Sequence, residues 1–361
     1  MVWQRGRRPI EGRVVAITGA TAGVGRAIAL RFAAAGARVG LIARDDGALA
    51  DVEREIAAAG GQAAAVAADV ADADAVFAAA RAIEEALGPI DVWVNDAMLT
   101  VYAPVIDTTP EEFRRVTEVT YLGFVHGTMA ALRHMRPRNR GTIIQIGSAL
   151  AYRSIPLQAA YCGAKHAIVG FTDSLRSELM HDRIAIDLTV VHLPAVNTPQ
   201  FDWARTHMST EPRPVPPVVQ PERIAEAVLQ AAIQPRREYW IGWSTLQAIL
   251  GTMVAPGLLD RYLATKGYEG EATGRPVQPG RRDNLMAPVH DLHRTHGSFD
   301  NEARTTAPVF ASADVRGALA LLGSFVLLAL MPRRRDASAR VPRRARAGAA
   351  LGARGSSLTR M

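Results

Sequence analysis

Short apolar runs alternate with amphipathic stretches along residues 13–242. The runs Arg13–Thr18, Val39–Ala43, Gln62–Ala67, Ile90–Val94, 142–147, Ile184–Val191 and Tyr239–Gly242 have the length and apolar content of buried strands. Between them, residues 26–35, 46–59, 72–87, 110–135, 158–180 and 221–233 carry helical spacing. Strands alternating with helices of this length predict a doubly wound, Rossmann-like α/β domain, its parallel sheet covered by helices on both faces. Ligands in such sheets bind beyond the carboxyl ends of the strands. Gly19, Arg44, Asp69, Asn95, Ser148 and residues 192–198 all fall there.

The regular alternation stops after residue 242. Residues 199–220, with Phe201, Trp203, Met208 and prolines at 212, 214, 216 and 217, read as a loop covering a pocket. Ser244–Ala264 is helix-like and broken near Pro256-Gly257. Residues 267–311 are rich in Gly, Pro, Arg and Asp, and are expected to be an extended wrap with local order at 283–285 and 296–299. The expected organisation is a basic arm (1–11), a catalytic domain (12–255), a wrap or linker (256–311), an apolar helix (312–332) and an Arg-rich disordered tail (333–361).

Charge changes this picture in one respect. The chain carries a formal +7, but nine Arg against one Asp give residues 333–361 a charge of +8, leaving −1 for the rest. The body is therefore not a basic nucleic-acid-binding domain. The uncharged apolar run 317–331 has fifteen residues, where about twenty span a bilayer. It is expected either to associate with a membrane, at the surface or as a marginal span, or to be a helix buried against the domain or a partner. A span with the arginine tail inside would put the domain outside, so attachment at the inner face of a membrane fits better, the tail meeting anionic lipid. A single cysteine, Cys162, and the absence of an apolar leader before the first strand suggest a reducing, cytoplasmic setting without a signal peptide. No His, Cys or Asp cluster has metal-ligand spacing. Cys162, His192 and His207 read as structural.

The candidate chemistry lies in two places. Thr18, Gly19, Thr21, Ala22, Gly23, Val24 and Gly25 sit between the first strand and a helix. Glycines there permit a tight turn and close backbone approach to a pyrophosphate, which the helix N-terminus attracts. At the end of the second strand an acid would grip a ribose 2′-hydroxyl; Ala43 stands there instead, followed by Arg44, which suits a 2′-phosphate and hence NADP(H) over NAD(H). A solvated flank of the next helix would also accommodate Arg44. The second place is Ser148 with Tyr161 and Lys165. Tyr161 and Lys165 share a helix face, so the ammonium is expected to lower the Tyr161 pKa. Of 42 basic residues only Lys165 and Lys266 are lysines, which makes a lysine at this position pointed.

Taken together, Thr18-Gly19 with Gly23 and Gly25, Asp69, Asn95 with Ala97, Ser148, and Tyr161 with Lys165 resemble a classical short-chain dehydrogenase/reductase over residues 12 to about 255. The resemblance implies hydride transfer between a nicotinamide cofactor and a carbonyl or secondary alcohol of a small molecule. It makes Tyr161 the general acid/base, Ser148 the partner of the substrate oxygen and Lys165 the residue gripping the nicotinamide ribose. It places Asp69 and Val70 at the adenine, Asn95 and Ala97 at the strand ends, and Val196 and Thr198 facing the nicotinamide. It also implies a homo-oligomer through the fourth and fifth helices. Three positions depart from the family pattern: Met98 and Pro194 each replace a Gly, and Thr120 replaces an Asn. The aromatic and apolar cover suggests a hydrophobic substrate. The alternative is a catalytically degenerate NADP(H)-binding scaffold or sensor.

Overall fold

The computed structural model describes residues 9–330; residues 1–8 of the basic arm and the whole arginine-rich tail lie outside the described residues. The strands are β1 (Val14–Thr18), β2 (Arg38–Ala43), β3 (Gln62–Ala67), β4 (Ile90–Asn95), β5 (Gly141–Ser148), β6 (Ile186–Leu193), β7 (Glu238–Ile241) and β8 (Val309–Ala311). They form one sheet in the order β8-β7-β6-β5-β4-β1-β2-β3. Neighbours among β1–β7 pair in parallel, whereas β8 pairs antiparallel with β7. The doubly wound order matches the expectation from sequence. β8 was not anticipated: three residues in a stretch without periodicity carry no strand signal, and it forms because the edge of β7 offers unpaired backbone groups.

Alternate side chains of the central strands enter two separate cores, one on each face. Val15, Ile17, Ile144 and Val191 join α1 (Gly23–Ala34), α2 (Asp46–Ala58) and α8 (Pro221–Ile233) on one side. Val14, Ala16, Ile143 and Leu188 join α3 (Ala73–Leu87), α5 (Gly123–Met135) and α6 (Ala159–His181) on the other. All five residues of β1 are buried, as two-sided cover requires. Each such Val or Ile contributes about 1.5–3 kcal/mol on burial.

The helix read over 110–135 is interrupted. α4 (Pro110–Thr117) opens with a capping box between Thr109 and Glu112, and a π-turn at Glu118–Leu122 separates it from α5. The turn brings Thr120 against the loop after β4, where its hydroxyl accepts from Leu99 N–H and donates to Leu99 O, both at 2.8 Å.

A short helix, α7 (Gln200–Trp203), precedes α8, and beyond α8 and β7 the chain forms α9 (Trp243–Val254) and α10 (Pro256–Glu271), broken where the Pro-Gly pair stands. Residues 281–304 then run back as a strap. It is tied by Arg281 Nη2 to Phe201 O (2.9 Å), by Asn284 N to Trp203 O (3.0 Å) and by Arg304 N to Val218 O (2.9 Å). Leu285, fully buried, anchors it in the core beneath α4. Residues up to Gly317 form one compact unit and those from Ala318 a second. Helix α11 (Ser312–Leu330) has nineteen residues. Asp314 and Arg316 stand near its start, and no helix among the described residues is long and apolar enough to cross a membrane.

Candidate active site

A cavity of about 410 Å³ opens along the carboxyl ends of the strands. One end is walled by the glycine turn, Arg44, Asp69 and Val70; the middle by Asp96, Ala97, Val196 and Thr198; the other end by Ser148, Tyr161 and the 199–216 cover. The turn depends on its glycines. Gly19 has φ +75, and a Cβ there would stand 2.8 Å from Ala97 Cα, so no side chain fits between β1 and the loop after β4. A Cβ on Gly25 would collide with the Gly19 carbonyl oxygen. Ala22 gives α1 no side-chain cap, which leaves its N-terminal amides to other acceptors.

The three catalytic candidates converge at the far end. β5 ends at Ser148, whose hydroxyl accepts from Leu150 N–H at 3.1 Å and hydrogen-bonds Tyr161. Before α6, buried Leu157 sits at φ +63, a conformation costly for a branched side chain, and its carbonyl accepts from Ala103 N–H at 2.9 Å. One turn into α6, Tyr161 and Lys165 face the cavity, both buried. Lys165 Nζ donates to Ile146 O at 2.7 Å and lies 4.6 Å from the Phe124 ring centroid.

The electrostatics differ from the expectation. Burial pushes the Tyr161 pKa well up, the Ser148 hydrogen bond pulling only partly back. Lys165 does not offset this, because its charge is directed at Asp96 and the Ile146 carbonyl. Burial lowers the Lys165 pKa and raises that of Asp96, their mutual attraction opposing both shifts. Asp96 is thus a carboxyl within the site that nothing in the sequence singled out.

The other sequence-derived residues divide into two groups. Gly19, Thr21, Ala22, Gly23, Val24, Asp69, Val70, Ala97, Val196 and Thr198 line the cavity, as do the departures Met98 and Pro194. Thr18, Gly25 and Asn95 act behind it. The Thr18 hydroxyl accepts from Asp96 N–H at 3.0 Å. Asn95 accepts from Trp93 Nε1 at 2.8 Å and donates to Gln145 Oε1 at 2.8 Å, locking β4 to β5. Arg44 lines the cavity, but its guanidinium donates to Asn284 O (2.7 Å) and Met286 O (3.4 Å) of the strap instead of standing free. Asp69 is paired with Arg115. Cys162 is buried with its thiol pushed up to about 11, and His207 pairs with Glu112, in keeping with structural roles. The strap residues Asn284, Pro288, Val289 and His293 also line the cavity. Only the local order read at 283–285 hinted at them.

A family model described as short chain dehydrogenase matches residues 13–208. An uncharacterized oxidoreductase, YxnA, of Bacillus subtilis (strain 168) is 31% identical over 324 residues, covering 87% of this chain and 90% of that protein. Such a span necessarily takes in the strap. The dehydrogenase/reductase SDR family member 7B of Bos taurus is 37% identical over 203 residues, 54% of this chain and 62% of its own length. Among solved structures, a metagenomic short-chain oxidoreductase in complex with NADP aligns with TM-score 0.53 and 31% identity over 63% of this chain and 93% of that one. A single-substitution variant of actinorhodin polyketide ketoreductase with NADPH aligns with TM-score 0.55 and 29% identity, covering 62% and 90% of the two chains.

Proposed function

The chain belongs to the short-chain dehydrogenase/reductase family, and we propose that it is an NADP(H)-dependent oxidoreductase acting on a carbonyl or secondary alcohol of a hydrophobic small molecule. The observation that carries this reading is the convergence of Ser148, Tyr161 and Lys165 on one end of a cavity that continues to the glycine turn. The cavity fits a dinucleotide: Gly19 admits no side chain against Ala97, and α1, which has no side-chain cap, begins at its wall. Gly19 and residues 21–24 would hold the pyrophosphate, Asp69 and Val70 the adenine, Arg44 the 2′-phosphate, and Ala97, Val196 and Thr198 the nicotinamide side. When bound, the cofactor supplies or accepts the hydride.

The chain's own task is placement and proton transfer. Ser148 Oγ, fixed by Leu150 N–H, hydrogen-bonds the substrate oxygen. Tyr161 Oη gives that oxygen a proton in reduction and removes it in oxidation. Lys165, anchored on Ile146 O, holds the ribose hydroxyls. Leu99, Tyr102, Leu150, Ile155, Phe201 and Val215 give the substrate end an apolar lining, which excludes water and favours a hydrophobic substrate. The NADP-bound neighbours support NADP(H) as ligand, and Arg44 supports it over NAD(H).

Titration of the full chain with NADPH and NADH, followed by a screen of ketones and aldehydes, tests the reading. Tyr161→Phe is expected to lower turnover about 10²–10⁴-fold with cofactor binding retained. A parent that binds cofactor and turns over nothing in the screen would favour a cofactor-binding scaffold. That second reading draws support from Thr120, whose hydroxyl is spent on Leu99. We further infer a homo-oligomer through α4–α6 and a cytoplasmic protein attached to a membrane surface by residues 312–361. Cell fractionation with and without those residues tests the attachment.

A further inference from the structure

The strap crosses the cavity at its nucleotide end and is fastened on both sides of it. On the near side Arg44 holds Asn284 O and Arg115 Nε holds Leu285 O at 3.2 Å. On the far side Gly23 N, the first amide of α1, donates to Arg294 O at 2.9 Å, and Arg26 Nη1 donates to His293 O at 3.4 Å. Between these fastenings Pro288, Val289 and His293 face the cavity.

His293 is unlike the other polar groups of the strap. Its side chain is 10% exposed, and its Nδ1 has no hydrogen-bond partner. Nε2 lies 3.2 Å from Asp45 Oδ2, a carboxylate that His290 and Ala48 N–H also engage, so Nδ1 is the ring nitrogen left over. The ring is held by Trp203, with centroids 5.3 Å apart. A buried imidazole nitrogen without a partner is costly unless something meets it. Here it stands by the start of a twelve-residue helix that has no side-chain cap and whose first amide is met by Arg294 O, beside Arg26, where partial positive charge gathers.

We propose that the strap is the fourth wall of the dinucleotide site and that His293 donates a hydrogen bond to a phosphate of the bound cofactor. This rests on the cofactor reading above. The site is then completed by a segment outside the βα units that make the other walls. His293 joins the helix amides that the strap leaves free, as an imidazole N–H does when a phosphate is within reach.

The test uses the full chain, titrated with NADPH and with NADH by nicotinamide fluorescence, in the parent, His293→Ala and His293→Phe. The Phe variant keeps the packing on Trp203 and guards against loss of the strap itself. Proteolysis at Arg282 and Arg294, with and without NADPH, reads strap closure independently of turnover. We expect both variants to bind NADPH at least tenfold more weakly, and NADPH to protect the strap of the parent. Weakening confined to NADPH places the contact at the 2′-phosphate; weakening of both cofactors places it at the pyrophosphate. Parent-like affinities in both variants, or no protection, would overturn the proposal while leaving the cofactor reading intact. A parent that binds neither cofactor overturns that reading, and this one with it.

Discussion

His192 Nδ1 lies 3.1 Å from the carbonyl oxygen of Ser148, joining the ends of β5 and β6 directly behind the candidate catalytic hydroxyl. The ring fits because Gly147, its register partner, has no side chain; a Cβ there would stand 2.7 Å from His192 Nδ1. Burial holds the imidazole down to about 4, so near neutrality the ring is uncharged and its Nδ1–H donates. The position of Ser148 therefore depends on a neutral histidine.

That dependence predicts acid sensitivity. The folded value lies below the ordinary 6.5, so the stabilisation is complete above pH 6.5 and is lost as pH falls toward 4. Over that window the loss is about 3 kcal/mol. Thermal melting between pH 4 and 7 is expected to show a shallower acid limb in His192→Phe than in the parent. Parallel limbs would count against it.

Glu271 predicts the opposite sign. Its side chain is fully buried, is held by Gln158 Nε2 through one oxygen and leaves the other unpartnered. Burial raises it to about 8 from 4.5. Stability is complete below pH 4.5 and falls as pH rises toward 8, by about 5 kcal/mol. Glu271→Gln should match the parent near pH 5 and exceed it at pH 8, which denaturant titration at the two pH values would measure.

Leu285 is the strap's hydrophobic anchor. Leu285→Ala removes a fully buried side chain, a change that costs about 2–5 kcal/mol in a core. Because the strap is peripheral, most of that loss should fall on local opening. Amide hydrogen exchange is expected to rise over residues 281–297 and to stay unchanged in β5. A uniform rise across the sheet would mean that the strap does not open on its own.

Assembly is expected to use the outer face of α4–α5. Phe113 and Met129 are 41% and 44% exposed there, large apolar groups on helices that otherwise bury their apolar side. Phe113→Asp with Met129→Asp should convert an oligomer to monomer by light scattering, with the fold retained. No change in mass would assign those side chains to ordinary surface.

The parallel, helix-covered sheet was legible because each of the first seven strands carries its own apolar run and each crossover its own helical period. Ser148, Tyr161 and Lys165 were legible for a similar reason, since one strand end and one helix face fix their relation. What could not be read depends on contacts to backbone, or between distant segments without periodicity. The Arg44 guanidinium meets carbonyl oxygens some 240 positions away, and a carbonyl has no signature in a sequence. Thr120 resembles a lost asparagine until the π-turn brings its hydroxyl to Leu99. Leu285 is one apolar residue among Asp, Arg and Pro, too little to form a pattern. The Tyr161 pKa went the other way because spacing places Lys165 nearby but says nothing of burial or of where its charge is spent.

The walls of the cavity are not made at the same time. All of them except the strap come from residues up to Ala248, while Asn284, Pro288, Val289 and His293 follow later in the chain. At synthesis rates of roughly 5–20 residues per second, His293 trails Ala248 by about 2 to 9 seconds. During that interval a nascent domain can present the cleft without its cover. The linear order of the gene thus separates the forming of the groove from its enclosure.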